Sequence, residues 1–165
     1  MGFVSLTVWV FLMFIAIGIY TSLLALLKPK EKLYAGMIKL GLFLAVFDFI
    51  FESWGAWAGY WISKGSLLPL DVFRIPGFEG VPGEVFVIAL CAGATYSLLF
   101  PKKFGWRVAL PANFLIACVG AGIEAILISS GLLVYTGGWT SGHAVAAYFV
   151  TFLLLNWVNS KYCAD

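Results

Sequence analysis

Four carboxyl groups stand among apolar residues in this chain. Asp48 and Glu52 lie within the run from about Met37 to Ser63, Glu84 opens a second run, and Glu124 lies inside a third. A charged side chain at the centre of a bilayer costs at least ~2.5–3.5 kcal/mol. The cheapest accommodation of such a carboxyl is protonation. Asp48 and Glu52 are one helical turn apart, so at least one of the two is expected to be neutral. A neutral carboxylic acid in a dry apolar chamber is able to protonate a weak base such as an alkene. The carbocation formed then needs carboxylates or aromatic faces beside it, and no water unless hydration is intended. Candidate walls for such a chamber follow the acids in sequence: Trp54, Trp57, Tyr60 and Trp61 after Glu52, and Tyr135 after Glu124. His143, the single histidine, opens the last apolar run.

Each of these residues has a plainer reading. Membrane acids also serve as hydrogen-bond partners between helices, or meet a charge on another subunit. Aromatic residues near helix ends form interfacial belts. Glu84 complements a helix dipole, and His143 at a helix start is equally read as a solvated residue.

The elements that position the acids follow from composition. The 165 residues are 62% hydrophobic and 11% charged, against about 45–50% and about 25% in soluble domains. That excess implies an all-α, polytopic membrane bundle forming a single domain over residues 1–165. Five spans are expected, at about 3–27, 37–63, 84–100, 108–135 and 143–160. The first lacks a basic n-region and is too long for a cleaved signal. On a helix of 100° per residue, Gly41, Ala45, Asp48, Gly55, Ala56 and Gly59 share the side of Glu52. Phe43, Phe47, Ile50, Trp54, Trp57 and Trp61 fall opposite. One face is small and acidic, the other large and apolar, as expected for bundle-facing and lipid-facing surfaces.

Basic residues orient the bundle. Lys28, Lys30, Lys32, Lys39, Lys102, Lys103, Arg107 and Lys161 fall on one side, and only Lys64 and Arg74 on the other. Positive residues stay inside, so the N-terminus is expected outside and the C-terminus in the cytoplasm, most simply at the plasma membrane. The basic loops are explained by topology and anionic lipid, without nucleic acid. The outer connection 64–83 holds Asp71, Arg74 and Glu79 with several prolines. It reads either as an ordered re-entrant or capping loop or as a solvated one. Cys91, Cys118 and Cys163 have no metal or redox spacing and read as small hydrophobes. No metal-spaced His/Cys set, phosphate-cradling loop, nucleophile elbow or dinucleotide fingerprint occurs, and no metal is expected.

The fourth run copies the second in outline. Glu124 precedes Gly131 by seven residues, as Glu52 precedes Gly59. After each, the chain turns and enters the next span beside an ionisable group, Glu84 or His143. This suggests a parallel repeat of helix pairs.

Asp48 to Trp61, followed by Pro82-Gly-Glu84 opening an apolar helix, resembles the membrane lycopene cyclase domain of carotenoid synthesis. The stretch from Glu124 through Gly131 to Tyr135 and Trp139 is similar to the same pattern in weaker form. The chain is also similar to related archaeal carotenoid hydratases and to the small membrane terpene cyclases. The likeness covers about half the chain. It departs from the family pattern in two places: Gly83-Glu84-Val85 lacks the second of two adjacent acids, and Ser141-Gly-His143 stands where a second proline-acid motif belongs. The resemblance implies cofactor-free, acid-initiated cyclisation or hydration of a terminal isoprenoid double bond, with Glu52 and Glu84 as leading acids. It also implies an apolar isoprenoid substrate and a unit that works as a homo- or hetero-oligomer. Two other functions fit the composition: an accessory subunit of a membrane complex, and a small-molecule or proton-coupled transport unit.

Overall fold

The structure is a computed structural model that describes residues 3–70, 80–100 and 105–163, with side chains from residue 8 to 161. The calls on Asp71, Arg74, Glu79, Lys102 and Lys103, and on the side chain of Cys163, lie outside the described residues. The remaining chain is helical. The helices are α1 (Phe3–Leu27), α2 (Glu31–Trp57), α3 (Gly83–Leu99), α4 (Trp106–Ser129) and α5 (Ser141–Val158), the last running into a π-helical turn at Asn159–Cys163. Within α1, α2, α4 and α5 plus its π-helical turn lie four stretches long and apolar enough to cross a membrane. Helix α3 is apolar but has 17 residues, roughly 25 Å at about 1.5 Å per residue.

Four short strands join the helices: β1 (Trp61–Ser63), β2 (Pro69–Leu70), β3 (Val81–Pro82) and β4 (Leu133–Tyr135). They correct two expected boundaries. The second span stops at Trp57 rather than Ser63, and the fourth at Ser129 rather than Tyr135. The cause is a glycine after each helix. Gly59 and Gly131 take φ of 74° and 72°, a conformation open to glycine and costly to residues with a Cβ. Both ends close with the same bonds. The amides of Ala58 and Ser130 bond to the carbonyls of Trp54 and Ile126. Those of Gly59 and Gly131 bond to Ala56 and Ile128, and those of Tyr60 and Leu132 to Gly55 and Leu127. Each equivalent pair lies 72 positions apart (Ala58 and Ser130, Gly59 and Gly131, Tyr60 and Leu132), as do Glu52 and Glu124.

The chain leaving each glycine enters a strand, and the two strands pair. β1 and β4 run antiparallel with Trp61 opposite Tyr135, Ile62 opposite Val134 and Ser63 opposite Leu133. Bonds from Lys64 N to Leu132 O (2.8 Å) and from Thr136 N to Tyr60 O (2.7 Å) extend the ladder at both ends. This two-stranded clasp ties the ends of α2 and α4 together. A second ladder, Pro69–Leu70 on Val81–Pro82, brings the connection after β1 back to the start of α3.

Helix packing is pairwise: α2 on α3, α4 on α5, and α1 on α3. Helices α2 and α3 meet through glycines. A Cβ at Gly41 would lie 2.7 Å from Leu90 O, and one at Gly93 would lie 2.6 Å from Leu40 O. Small residues therefore let two backbones touch. Two buried clusters result. Leu40, Leu44, Ala45, Ala89, Tyr96, Leu155 and Val158 form one at the end away from the clasp. Trp9, Trp61, Leu127, Leu132 and Leu133 form the other beneath the clasp. The space between the clusters is the candidate site.

Candidate functional site

A cavity of about 340 Å³ lies between the helix pairs. Asp48, Glu52, Phe47 and Phe51 face it from α2, and Glu124, Gly120 and Ile123 from α4. Tyr148, Thr151 and Phe152 face it from α5, and Trp9, Leu12 and Ile15 from α1. Val85, Ile88 and Ala92 of α3 line it too, with Trp61, Ser63, Leu133, Tyr135 and Trp139 at the clasp end. From Leu44 at its floor to Glu52 near its top it spans eight residues of α2, roughly 12 Å at about 1.5 Å per residue.

Three of the four sequence-selected acids therefore come together, from two helices that do not pack directly on one another. Their partners differ. Glu52 Oε2 accepts from the Trp61 indole N–H at 2.8 Å. Trp61 reaches it because the chain reverses after Gly59 and lays the indole back over the end of α2. Gly55 makes room: a Cβ there would lie 1.8 Å from the Trp61 ring. The helical projection puts Trp61 opposite Glu52. Trp61 is not on the helix at all, and its return brings it to the acid's side. Glu124 accepts from the Tyr135 hydroxyl, which β4 places above it, and the Tyr148 hydroxyl of α5 lies near it. Burial, and then the bond to Glu124, push the Tyr135 hydroxyl above its ordinary range, so it stays a donor. Asp48 sits one turn below Glu52 and faces the same space.

Aromatic faces crowd the top. Trp61 meets Trp139 edge-on at 4.8 Å between centroids, and Phe51 at 5.5 Å. Tyr60 packs on Trp139 and Trp54 behind them. Trp9 joins this wall and donates its indole N–H to Lys64 O at 2.8 Å, which anchors the start of α1 to the clasp.

The other selected residues lie elsewhere. Glu84 is 3% exposed at the head of α3. It does not line the cavity; its Oε2 accepts from Ser66 Oγ (2.6 Å) and its Oε1 from Leu67 N (2.8 Å). It pins the connection after β1, so of the four acids Asp48, Glu52 and Glu124 face the cavity and Glu84 does not. Trp54 and Trp57 point outward, Trp57 with 72% of its surface exposed. Tyr60 supports the wall from behind without lining the cavity. His143 is exposed in the first turn of α5, where Thr140 caps it: Thr140 Oγ1 and His143 Nδ1 lie 2.9 Å apart, and the ring rests on Trp139.

Sequence reasoning missed Tyr148, Trp9 and Phe51. Tyr148 carried a usable signal. It lies seven residues before Leu155, which is buried, so it shares the inward face of α5, but nothing local ties it to Glu124. Gly120 is the enabling residue, since a Cβ there would lie 3.1 Å from the Tyr148 ring.

A second polar group lies one helical turn beneath the floor. The Tyr96 hydroxyl donates to Asn113 Oδ1 (2.7 Å) and accepts from Asn156 Nδ2 (2.8 Å). Ser97 Oγ donates to Asn159 Oδ1 at 3.3 Å. Asn113 Nδ2, Asn156 Oδ1 and Asn159 Nδ2 are buried with no hydrogen-bond partner among the described residues.

Compared with protein-family models, curated proteins and solved structures, the chain matches none.

Proposed function

We propose that this protein is a membrane-embedded enzyme that uses intramembrane carboxyl groups to start cyclisation or hydration of an isoprenoid alkene. One observation carries the reading: Asp48, Glu52 and Glu124 converge on an apolar cavity walled by Phe51, Trp61, Trp139, Tyr135 and Tyr148. In the proposed reaction the Asp48/Glu52 pair supplies the proton. Its O–H bond breaks as a C–H bond forms at the less substituted carbon of the terminal double bond, leaving a tertiary carbocation on its neighbour. Glu124, which accepts from the Tyr135 hydroxyl, faces that charge as a carboxylate, with the aromatic rings beside it. A neighbouring alkene then attacks the cation, forming a C–C bond, and the new ring cation breaks an adjacent C–H bond and gives that proton to the Asp48/Glu52 carboxylate, leaving a cyclic isomer. With water as the nucleophile, a C–O bond forms instead and the attacking water gives up one of its own protons to that carboxylate. No external oxidant, reductant or cofactor enters either balance.

The proposal includes the finer architecture. All five helices span, α3 with a short hydrophobic length, and the clasp lies on the outer side, as the basic residues indicate. The equivalent bonds 72 positions apart, and a β1–β4 pair centred on Ile62 and Val134, support a parallel repeat of helix pairs around a pseudo-two-fold axis. The membrane is taken to be the plasma membrane.

The test is incubation of purified protein in liposomes with linear polyene isoprenoids in heavy water, followed by chromatography and mass analysis. Cyclisation leaves the formula unchanged apart from solvent deuterium; hydration adds one water. A panel of linear prenyl and carotenoid polyenes that all return unaltered and unlabelled rejects the reading.

One observation favours a second reading, a proton-coupled transport unit. The Tyr96, Asn113 and Asn156 group continues polar character below the cavity floor, with two amide atoms unpartnered. Proton flux into liposomes bearing the protein, lost on Asn113→Leu, would support it.

A further inference from the structure

The cavity has a property that alkene chemistry does not exhaust. Three carboxyl groups face it, and among the described residues that line it there is no lysine, arginine or histidine. None of these lining residues provides a permanent counter-charge inside the chamber. Aromatic faces stand next to the acids instead, Phe51, Trp61 and Trp139 within 5.5 Å of one another in sequence of contact. Carboxylates combined with aromatic faces are what recognise an organic cation.

The route in is also determined. The clasp and the Trp61–Trp139 contact roof the chamber, and Leu44, Ile116 and Phe152 lie at its base. The side between α1 and α4 is different. Ile15 and Ile19 of α1 and Val119 and Ile123 of α4 line the cavity, yet each is 40–58% exposed. Helix α1 packs on α3 and α4 packs on α5, so a slot with apolar edges remains between them. In a bilayer that slot faces hydrocarbon, and a ligand entering there arrives dissolved in lipid.

We propose that the chamber binds a lipophilic ammonium ion, a tertiary or quaternary amine on a hydrocarbon arm, taken sideways from the bilayer between α1 and α4. The head sits among Asp48, Glu52 and Glu124 against the Trp61 and Trp139 rings, and the arm lies in the slot. A chamber shaped to meet a transient carbocation meets a permanent cation by the same contacts, so the inference shares its site with the proposed enzyme. It does not require turnover. A phospholipid choline headgroup is a second source of the same ammonium chemistry. The chamber disfavours it, because the adjacent phosphate would find three acids and no cation.

The experiment uses the full chain in neutral detergent micelles and measures thermal stabilisation and tryptophan fluorescence. The probe is dodecyltrimethylammonium, held well below the detergent concentration, against its neutral isostere with a tert-butyl head on the same chain. The ammonium should act at concentrations at least tenfold lower than the isostere. Glu124→Gln and Glu52→Gln should each weaken it at least fivefold. Val119→Trp, which fills the slot and leaves every carboxyl in place, should abolish the response; it carries the test if the acid variants do not fold. Lysophosphatidylcholine should not compete. Equal potency of ammonium and isostere overturns the proposal, as does an undiminished response in Val119→Trp or competition by lysophosphatidylcholine. Ammonium binding without alkene turnover would reject the enzyme and keep this site. Turnover without ammonium binding would do the reverse.

Discussion

Gly55→Ala is the sharpest probe of how the site is built. In an α-helix this exchange normally stabilises, because glycine is about 0.8–1.0 kcal/mol worse than alanine in a helix interior. Here the new Cβ would lie 1.8 Å from Cζ2 of Trp61 and 2.0 Å from Cη2. No rotamer adjustment of a methyl group relieves that overlap, so the indole must leave. Its departure removes the N–H donor from Glu52 and the contacts with Phe51, Tyr60 and Trp139. Loss of a buried tryptophan's packing costs about 3–5 kcal/mol when it is cut to alanine. A forced shift costs about 1–3 kcal/mol, and the orphaned carboxyl adds a further ~1 kcal/mol or more. After the ~1 kcal/mol gained in helix propensity is subtracted, Gly55→Ala should still destabilise by about 1–3 kcal/mol. The decisive assay is a double-mutant cycle with Trp61→Ala, read by reversible unfolding in mixed micelles. If Gly55 exists to admit the indole, Gly55→Ala in the Trp61→Ala background should be neutral or slightly stabilising. The interaction energy should then be about 2 kcal/mol or more. Additivity within about 0.5 kcal/mol would show that Trp61 does not fold back over α2, and the construction of the cavity roof would fall with it.

Glu84→Gln should behave as a structural change. Its carboxylate bonds to Ser66 and Leu67, and weakening them should cost about 1–3 kcal/mol; proteolysis within residues 64–83 should quicken while any cavity chemistry persists. Activity lost without loss of stability would return Glu84 to the acids. Tyr135→Phe and Tyr148→Phe each remove one hydroxyl from Glu124. Each should lower turnover, or ammonium affinity, by about tenfold, the equivalent of ~1.4 kcal/mol. The double variant should approach Glu124→Gln, and wild-type behaviour of both single variants would remove Glu124 from the site. Single cysteines at Lys64 and Arg107 in a cysteine-free background should label from opposite sides of intact cells, Lys64 from outside with a membrane-impermeant maleimide. Labelling of both from one side would overturn the orientation.

Much of this was legible before any coordinates, for reasons that are local. Helix periodicity depends on neighbours three and four residues apart, so Gly41, Ala45 and Asp48 fall on the inward side of α2 while Ile50, Trp54 and Trp57 face outward. The projection erred in two places, one within the helix and one where the helix had ended. Phe47 proved to line the cavity, and Trp61 stands beyond the Gly59 turn. His143 and Glu84 were selected for standing at helix starts beside the supposed chamber. One became a capped, exposed residue, and the other a pin for its own connecting loop.

The sequence by itself determined the apolar runs and the carriage of Asp48, Glu52 and Glu124 within helices. Each of these depends on residue type and on spacing within a few turns. Only the tertiary structure decided which acids meet, because α2 and α4 come together through a strand pair between residues 70 to 74 positions apart. It alone set the Trp61 indole on Glu52 and the Tyr135 hydroxyl on Glu124. Those contacts arise from chain reversal and helix pairing, which no short-range pattern encodes.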